Sequence, residues 1–514
     1  MLVAQVKPEE PDIVSKALAK NRLGVPSVVF FGVAGAAPLT VIIGSITTIY
    51  AIIGSTAVPI AYLVTAGLLS LFTVGFVAMS RHIVNTGAFY SYISHGLGRI
   101  IGVGAAFVAL PAYSLMQIGL FGLFGSVASG ILGAFGFAVP WYACAIAAWF
   151  AVAILGLLWV DLSGKVLAVL LVLEIAVVLI YDIVMIGNPA GGHVTFSQFS
   201  PAPLATPVIG ILLVLAIAGF VGFEATVVLS EEAKDPKRTI ARATHIAVIL
   251  AGVLCSVSAW AMSVNTGPDQ IAARAAEHQT DLVFTLVGPH LPGFLVDIGY
   301  VLFLTSVFAA LLAFHAAVSR YQFALGREGV LPAAWGRTHP RTGAPLLGSI
   351  TQSVLAIIVL SLYALVGSDP LVFVFAWLTT IGGLGVLILM WAASAAVLAF
   401  FMKNRRGESI WKAYLAPALA FLLLTVVLAA TCIGFGELLQ VDGDSPFQWL
   451  IPALYLAVAV VGFIWAMIMR AARPEVYAAI GRGTEGRVSA VPDNPSMLRP
   501  LHADPVGARS GYPY

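Results

Sequence analysis

A succession of apolar runs, each close to the length of a membrane span and each bounded by polar or charged residues, constrains this chain more than any motif in it. Runs fall near residues 26–50, 56–79, 100–130, 140–160, 165–187, 207–229, 243–264, 293–319, 346–366, 370–401, 413–435 and 448–470. A helix needs about 20 apolar residues to cross a hydrocarbon core about 30 Å thick. The fold class expected is therefore an all-α polytopic membrane protein with twelve transmembrane helices, numbered below as spans 1 to 12. Composition points the same way. Only 10% of the residues are Asp, Glu, Lys or Arg, against about 25% in an ordinary soluble domain. That is too few to wrap globular cores in polar surface.

An even number of spans puts both termini on one side, and the positive residues choose the side. Placing the N-terminus inside assigns 25 of the 26 Lys and Arg residues to cytoplasmic segments, with Arg274 outside. Cytoplasmic loops carry this excess, so the expectation is a multi-pass protein of the cytoplasmic membrane with both termini in the cytoplasm. The first run is not read as a signal peptide, because a polar, charged segment (1–25) precedes it and it outlasts a cleavable apolar region. Residues 471–514, rich in proline and poor in apolar periodicity, read as a disordered cytoplasmic tail. The outer loops near 188–206 and 265–292 read as connectors or short interfacial helices, with a weak helical pattern from Asp269 to Leu286.

Several function classes drop out. The formal net charge is +2 and the basic residues lie scattered between apolar runs, so there is no basic face for nucleic acid. Cys144, Cys255 and Cys432 lie inside apolar stretches, at spacings suited to neither disulfides nor zinc, and are expected to pack. No cofactor or metal is expected. A membrane enzyme would need a cluster of catalytic groups in one cleft or a sizeable polar domain, and neither is evident.

Two acids fall at membrane depth. Glu174 lies nine residues past Lys165, hence about 14 Å into the bilayer and near its midplane. Glu224 lies seven residues before Glu231, about 10 Å from the inner edge. Acids at depth mark ion or substrate paths by default, so both are candidate coupling residues; the alternative is a protonated glutamate bonding a carbonyl or hydroxyl between helices. Asp182 and Asp297 fall near outer ends, where hydration costs little, and are read as unremarkable. His315, near an inner end, reads as a packing or interfacial histidine.

Spans 1 and 6 carry helix breakers. In span 1, Gly32, Gly35 and Pro38 stand in Phe31–Thr40. Pro38 cannot donate to the carbonyl of Ala34 and crowds it, so the helix should open there and restart at Pro38. The amides of Leu39 and Thr40, at the positive end of the second half, would then face a carboxylate. Span 6 has Gly219 and Gly222 in Ala218–Glu224, where open carbonyls would accept from an ammonium group. The plainer reading is a bend in each helix. Two interrupted spans, first and sixth, are what inverted repeats of five spans predict, with substrate held where the broken helices cross.

These residues resemble the amino acid, polyamine and organocation superfamily of secondary transporters. Gly87–Tyr92 with Gly96–Arg99 is similar to the family's glycine and aromatic motif. Phe220–Glu224 followed by Glu231–Ile240 is similar to its junction of spans 6 and 7. Ser319–Arg320 with Gly329–Pro332 and Pro345, and Leu162–Val166 at the entry to span 5, complete the likeness over roughly residues 25–345.

The resemblance implies a five-plus-five inverted repeat with broken helices 1 and 6, spans 1–5 within 26–187 and spans 6–10 within 207–401, plus two extra helices within 413–470. It implies a substrate carboxylate at Gly35, Ala36, Ala37, Leu39 and Thr40, and an ammonium at the carbonyls of Ala218, Gly219 and Val221. Phe220 is then the aromatic covering the site, and Glu224 a residue of coupling or gating. The chain departs from the family where Ala36-Ala37-Pro38 replaces a glycine and serine run. Glu174 stands where some proton-coupled members have a lysine, near a sodium site of related folds. The function expected is a permease importing an amino acid or related small zwitterion (or amine) by alternating access, coupled to H⁺, with Na⁺ symport or exchange as the alternative.

Overall fold

A computed structural model describes residues 28–29, 32–33, 36–83, 87–158, 164–202, 208–224, 226, 236–339 and 342–483. Among them every regular element is a helix, apart from an isolated bridge between Thr338 and Pro345. Helices follow the apolar runs because, in hydrocarbon, backbone N–H and C=O groups must find partners within their own segment. Nine helices among the described residues are long and apolar enough to cross a membrane, from Val58–Ser80 to Phe447–Ala472. Pro38–Ile53, Trp141–Leu157 and Gly210–Phe220, in the runs expected as spans 1, 4 and 6, are shorter apolar helices.

Large apolar side chains such as Leu365, Val366, Leu422, Val426 and Leu456 stand exposed on the peripheral spans 9, 11 and 12. An apolar exterior on that scale fits lipid and not water. The protein is an integral membrane protein. Its centre is made by spans 7 and 10, which are mostly buried; span 7 packs along span 2, and spans 10 and 12 along span 3. Helices outrun their hydropathy, as in span 8, which continues past residue 319 to Arg327. Hydropathy registers only the lipid-immersed length, whereas the hydrogen-bond ladder continues beyond it.

The two long loops expected on the outside, as far as they are described, are docked and are more than connectors. Helices Ile271–His278 and Leu282–Val287 form within the second, and the first of these lies against Thr47–Ile53 of span 1. In the other loop, buried Gln198 donates to Ser263 Oγ at 3.1 Å. Trp260 Nε1 donates to the Thr195 carbonyl at 2.8 Å, its ring stacked 5.0 Å from that of Phe196.

Composition predicts disorder throughout 471–514, and the structure differs at the start of that segment. Span 12 ends at Ala472, and Pro474–Ala479 forms a short helix. The N–H groups of Gly481 and Gly483 donate to the Glu328 carboxylate at 2.6 and 2.9 Å, and the Tyr90 hydroxyl donates to it as well. Ser91 Oγ donates to the Gly481 carbonyl at 3.1 Å, and the Arg99 guanidinium stands 5.5 Å from the Tyr477 ring centre. This strap is held mainly by backbone donors on one carboxylate, a contact that apolar periodicity cannot register. Residues 484–514 lie outside the described residues.

Candidate functional site

Span 1 is interrupted at Ala37, whose φ of 37° and ψ of 70° are left-handed. Pro38 follows at the first position of the second half, where its missing N–H does no harm. Ala37 still donates to the Val33 carbonyl at 2.8 Å and accepts from the Val41 N–H at 3.0 Å, so hydrogen bonds continue on both sides of it. A residue with a Cβ in this region costs about 1–2 kcal/mol, and the helix then widens into π-helical turns over Val41–Ile46, a feature common at functional sites. Ala36, Ala37, Leu39 and Thr40 are all buried. Leu39 and Thr40 head the second half, at its positive end. Gly35 lies outside the described residues.

The helix of span 6 stops at Phe220, and residues 221–224 turn instead. Gly222 has φ of 119°, which a side chain would resist. Val221 N–H closes on the Ala218 carbonyl and Phe223 N–H on the Phe220 carbonyl, each at 3.3 Å. The Ala218 methyl faces span 10 at Gly383, and the Phe220 ring packs between Tyr62 of span 2 and Gly252 of span 7.

The two interruptions meet. A Cβ added at Gly219 would lie 3.0 Å from Val41 Cγ1 and 3.1 Å from Tyr62 Oη, so the absent side chain admits span 1. On the other side of the break, a Cβ added at Gly32 would run into the Thr226 side chain. The first half of each helix therefore packs against the second half of the other.

Each deep acid belongs to its own polar group. Glu174 is 5% exposed and lies near Ser306 of span 8, to whose Oγ Thr40 Oγ1 donates at 3.1 Å. Spans 1, 5 and 8 thus converge just past the break in span 1. Glu224 Oε1 accepts from the Tyr113 hydroxyl at 2.6 Å, and Oε2 from the Gly222 N–H at 3.0 Å. The carboxyl staples its own broken turn to span 3. From there Tyr113 stacks on Tyr321, 5.6 Å between ring centres, and the Tyr321 hydroxyl accepts from the Phe89 N–H at 3.3 Å. Among the described residues neither acid forms an ion pair. Nor do three His, Cys, Asp or Glu side chains there gather as a metal site.

The sequence matches the amino acid permease family over residues 23–461. The chain belongs to that family. It is 24% identical over 194 residues to the low-affinity putrescine importer PlaP of Escherichia coli (strain K12), covering 37% of this chain and 39% of that relative. It is 28% identical over 192 residues to the branched-chain amino acid permease BcaP of Bacillus subtilis (strain 168), 37% of this chain and 38% of the relative. A longer match, 26% over 411 residues, joins it to BcaP of Lactococcus lactis subsp. cremoris, covering 73% of this chain and 84% of the relative. The chain thus matches less than half the length of the first two relatives. Each relative is described as an importer or permease, none as an enzyme.

The permease holds polar groups that sequence reading passed over. Ser306 and Tyr113 carry no signal of their own. Gln117 and Gln352, amides inside apolar runs, do; they bond each other at 2.6 Å, with Ser114 donating to Gln352 at 2.8 Å. Asp182 corrects an expectation. It is only 3% exposed and accepts from Ser258 Oγ at 2.9 Å, because span 7 covers that face of span 5. Asp297 is exposed as expected. His315 packs among spans 4, 8 and 9, its Nε2 2.7 Å from Ser349 Oγ and its ring against Gly156. Cys144 and Cys255 are buried free thiols and Cys432 is partly buried. The motif residues Leu162, Ser163 and Glu231–Asp235 lie outside the described residues.

Proposed function

We propose that this permease is a secondary active transporter that imports an amino acid or related small amine across the cytoplasmic membrane by alternating access. It works as a twelve-span, five-plus-five inverted repeat with both termini inside. The observation that carries this reading is that two interrupted helices, broken at Ala37 and at residues 221–224, pack against each other, with Val41 close against Gly219 and Thr226 close against Gly32. Such packing offers a carboxylate the amides and positive end at Leu39 and Thr40, and an ammonium the carbonyls around Ala218 to Val221. Backbone dipoles then neutralise both ends of a zwitterion. The relatives, described as importing putrescine or permeating branched-chain amino acids, support that substrate class.

Proton coupling through Glu174 is the reading its surroundings favour. A carboxyl buried near a neutral serine, without an ion-pair partner among the described residues, is expensive to ionise. Its link through Ser306 to Thr40 ties that cost to the shape of span 1. Na⁺ symport is the second reading, since the oxygens of Thr40, Ser306 and Glu174 are of the kind a hard cation selects.

The test is uptake of labelled leucine, valine and putrescine into vesicles holding the purified protein, with imposed H⁺ or Na⁺ gradients. With one proton per substrate, a gradient of one pH unit drives accumulation up to about tenfold. Glu174→Gln, which keeps a carbonyl for Ser306, should bind substrate but accumulate none. Accumulation driven by Na⁺ alone would replace H⁺ by Na⁺, and normal accumulation by Glu174→Gln would remove this residue from coupling.

A further inference from the structure

Span 5 carries a second buried acid. Along Gly164–Gly187 the side chains of Val169, Val172, Leu179 and Ile183 are exposed, whereas Glu174, Val178, Tyr181 and Asp182 form a buried stripe. Asp182 lies eight residues beyond Glu174, about 12 Å along the helix, towards the side that the positive-inside count assigns to the exterior.

Its neighbours are neutral. From span 7 Ser258 donates to Oδ2 at 2.9 Å, and the buried Cys255 stands one turn before Ser258 on the same helix. From span 8 the nearest acid, Asp297, acts on Tyr181, whose hydroxyl is given to the Leu295 carbonyl at 2.9 Å. Tyr300 of span 8 donates to Asp281. The loop helix Leu282–Val287 contributes Phe284, edge-on to Tyr181, and the start of the second half of span 1 contributes Thr40, engaged with Ser306. Among the described residues no Lys or Arg pairs with Asp182.

A carboxylate sealed in such company loses its hydration, and one serine hydroxyl does not offset that loss. A carboxylic acid carries no such penalty. We propose that Asp182 is a second proton-binding residue of the permease, one that must take a proton from exterior water before the outer part of span 5 can close against span 7. The proton binds the carboxylate as an O–H when that side is open and returns to exterior water when it reopens; no other bond is made or broken. Ser258 is the positioning residue, since its bond to Oδ2 exists only when spans 5 and 7 lie side by side. The inference rests on the reading of the protein as a proton-coupled transporter.

The test is exchange of labelled leucine or putrescine, whichever is taken up, in vesicles of the full chain with saturating substrate on both sides. External pH is varied at fixed internal pH. Where closure is limiting, wild-type exchange should fall as external pH rises, by up to about tenfold per unit. Asp182→Asn, a neutral side chain that still accepts from Ser258, should lose the share of this dependence that Asp182 carries, and in a Glu174→Gln background, where Glu174 takes up no proton, it should give a flat profile. If the wild type accumulates no substrate on a proton gradient, the reading of the previous section fails. If it does accumulate and Asp182→Asn keeps the wild-type profile, this inference alone fails. Should Asp182→Asn not fold, infrared spectra decide: the wild type should show the carbonyl band of a buried protonated carboxyl, shifted by Ser258→Ala. An unshifted spectrum overturns the proposal.

Discussion

Tyr113→Phe asks whether span 6 is held in its broken shape by one side-chain bond. The hydroxyl lies 2.6 Å from Glu224 Oε1, and the two side chains are 3% and 1% exposed. Removing it keeps the ring that stacks on Tyr321 and leaves the carboxyl with the Gly222 N–H as its other donor. Side-chain hydrogen bonds within membrane proteins average about 0.6 kcal/mol and reach about 1.7, because partners are also found in the unfolded reference state. Stranding a buried acceptor costs about 1–3 kcal/mol. Here neither lipid nor water reaches the pair, so no substitute donor arrives, and the upper part of the membrane range applies: about 1.5 kcal/mol, roughly tenfold in the equilibrium constant. Reversible unfolding in mixed micelles by graded SDS measures it, with Glu224→Gln and the double mutant completing a cycle. The double mutant should cost about 1 kcal/mol less than the sum of the singles. Costs that add to within about 0.3–0.5 kcal/mol would refute the argument, leaving the backbone at Gly222 as what keeps the helix open.

Two further outcomes are expected. Ala37→Gly relieves a left-handed strain of about 1–2 kcal/mol while losing a buried methyl and adding chain entropy, so stability should stay within about 0.5 kcal/mol of wild type. The same change at Ala106, buried in the regular helix of span 3, should cost about 1.5 kcal/mol or more; equal costs in SDS unfolding would show that Ala37 is not strained. His95, on the short helix Ala88–Gly96 between spans 2 and 3, packs on Gly481 of the strap, and burial holds its imidazole below the usual range, opposed by the Ser91 carbonyl and Glu328. Protonation therefore favours the undocked form. The strap should be fully held above the ordinary histidine range of about 6.5 and loosen as pH falls through it. Proteolysis within 474–483 should speed up in acid for the wild type and much less for His95→Gln, and equal acid sensitivity would clear His95 of the role.

The apolar runs already mark where the long helices lie, and the glycines and Pro38 mark both interruptions, because these depend on local properties. A run of apolar residues long enough for lipid must become helix, and Pro38 and Gly222 disturb the backbone wherever the rest of the chain lies. Glu174 and Glu224 were visible for the same reason, as acids where hydrocarbon makes acids costly. What stayed hidden was every partner: Ser306 for Glu174, Tyr113 for Glu224, Ser258 for Asp182, and Glu328 for the strap.

The cause is physical. A soluble helix advertises its buried face through the spacing of its apolar residues, whereas a helix between lipid and protein is apolar all round. Its rotation about its own axis, and so which side chain meets which, is decided only when the spans pack. That packing alone puts Asp182 under span 7 while Asp297, of the same type and at a similar depth, remains exposed.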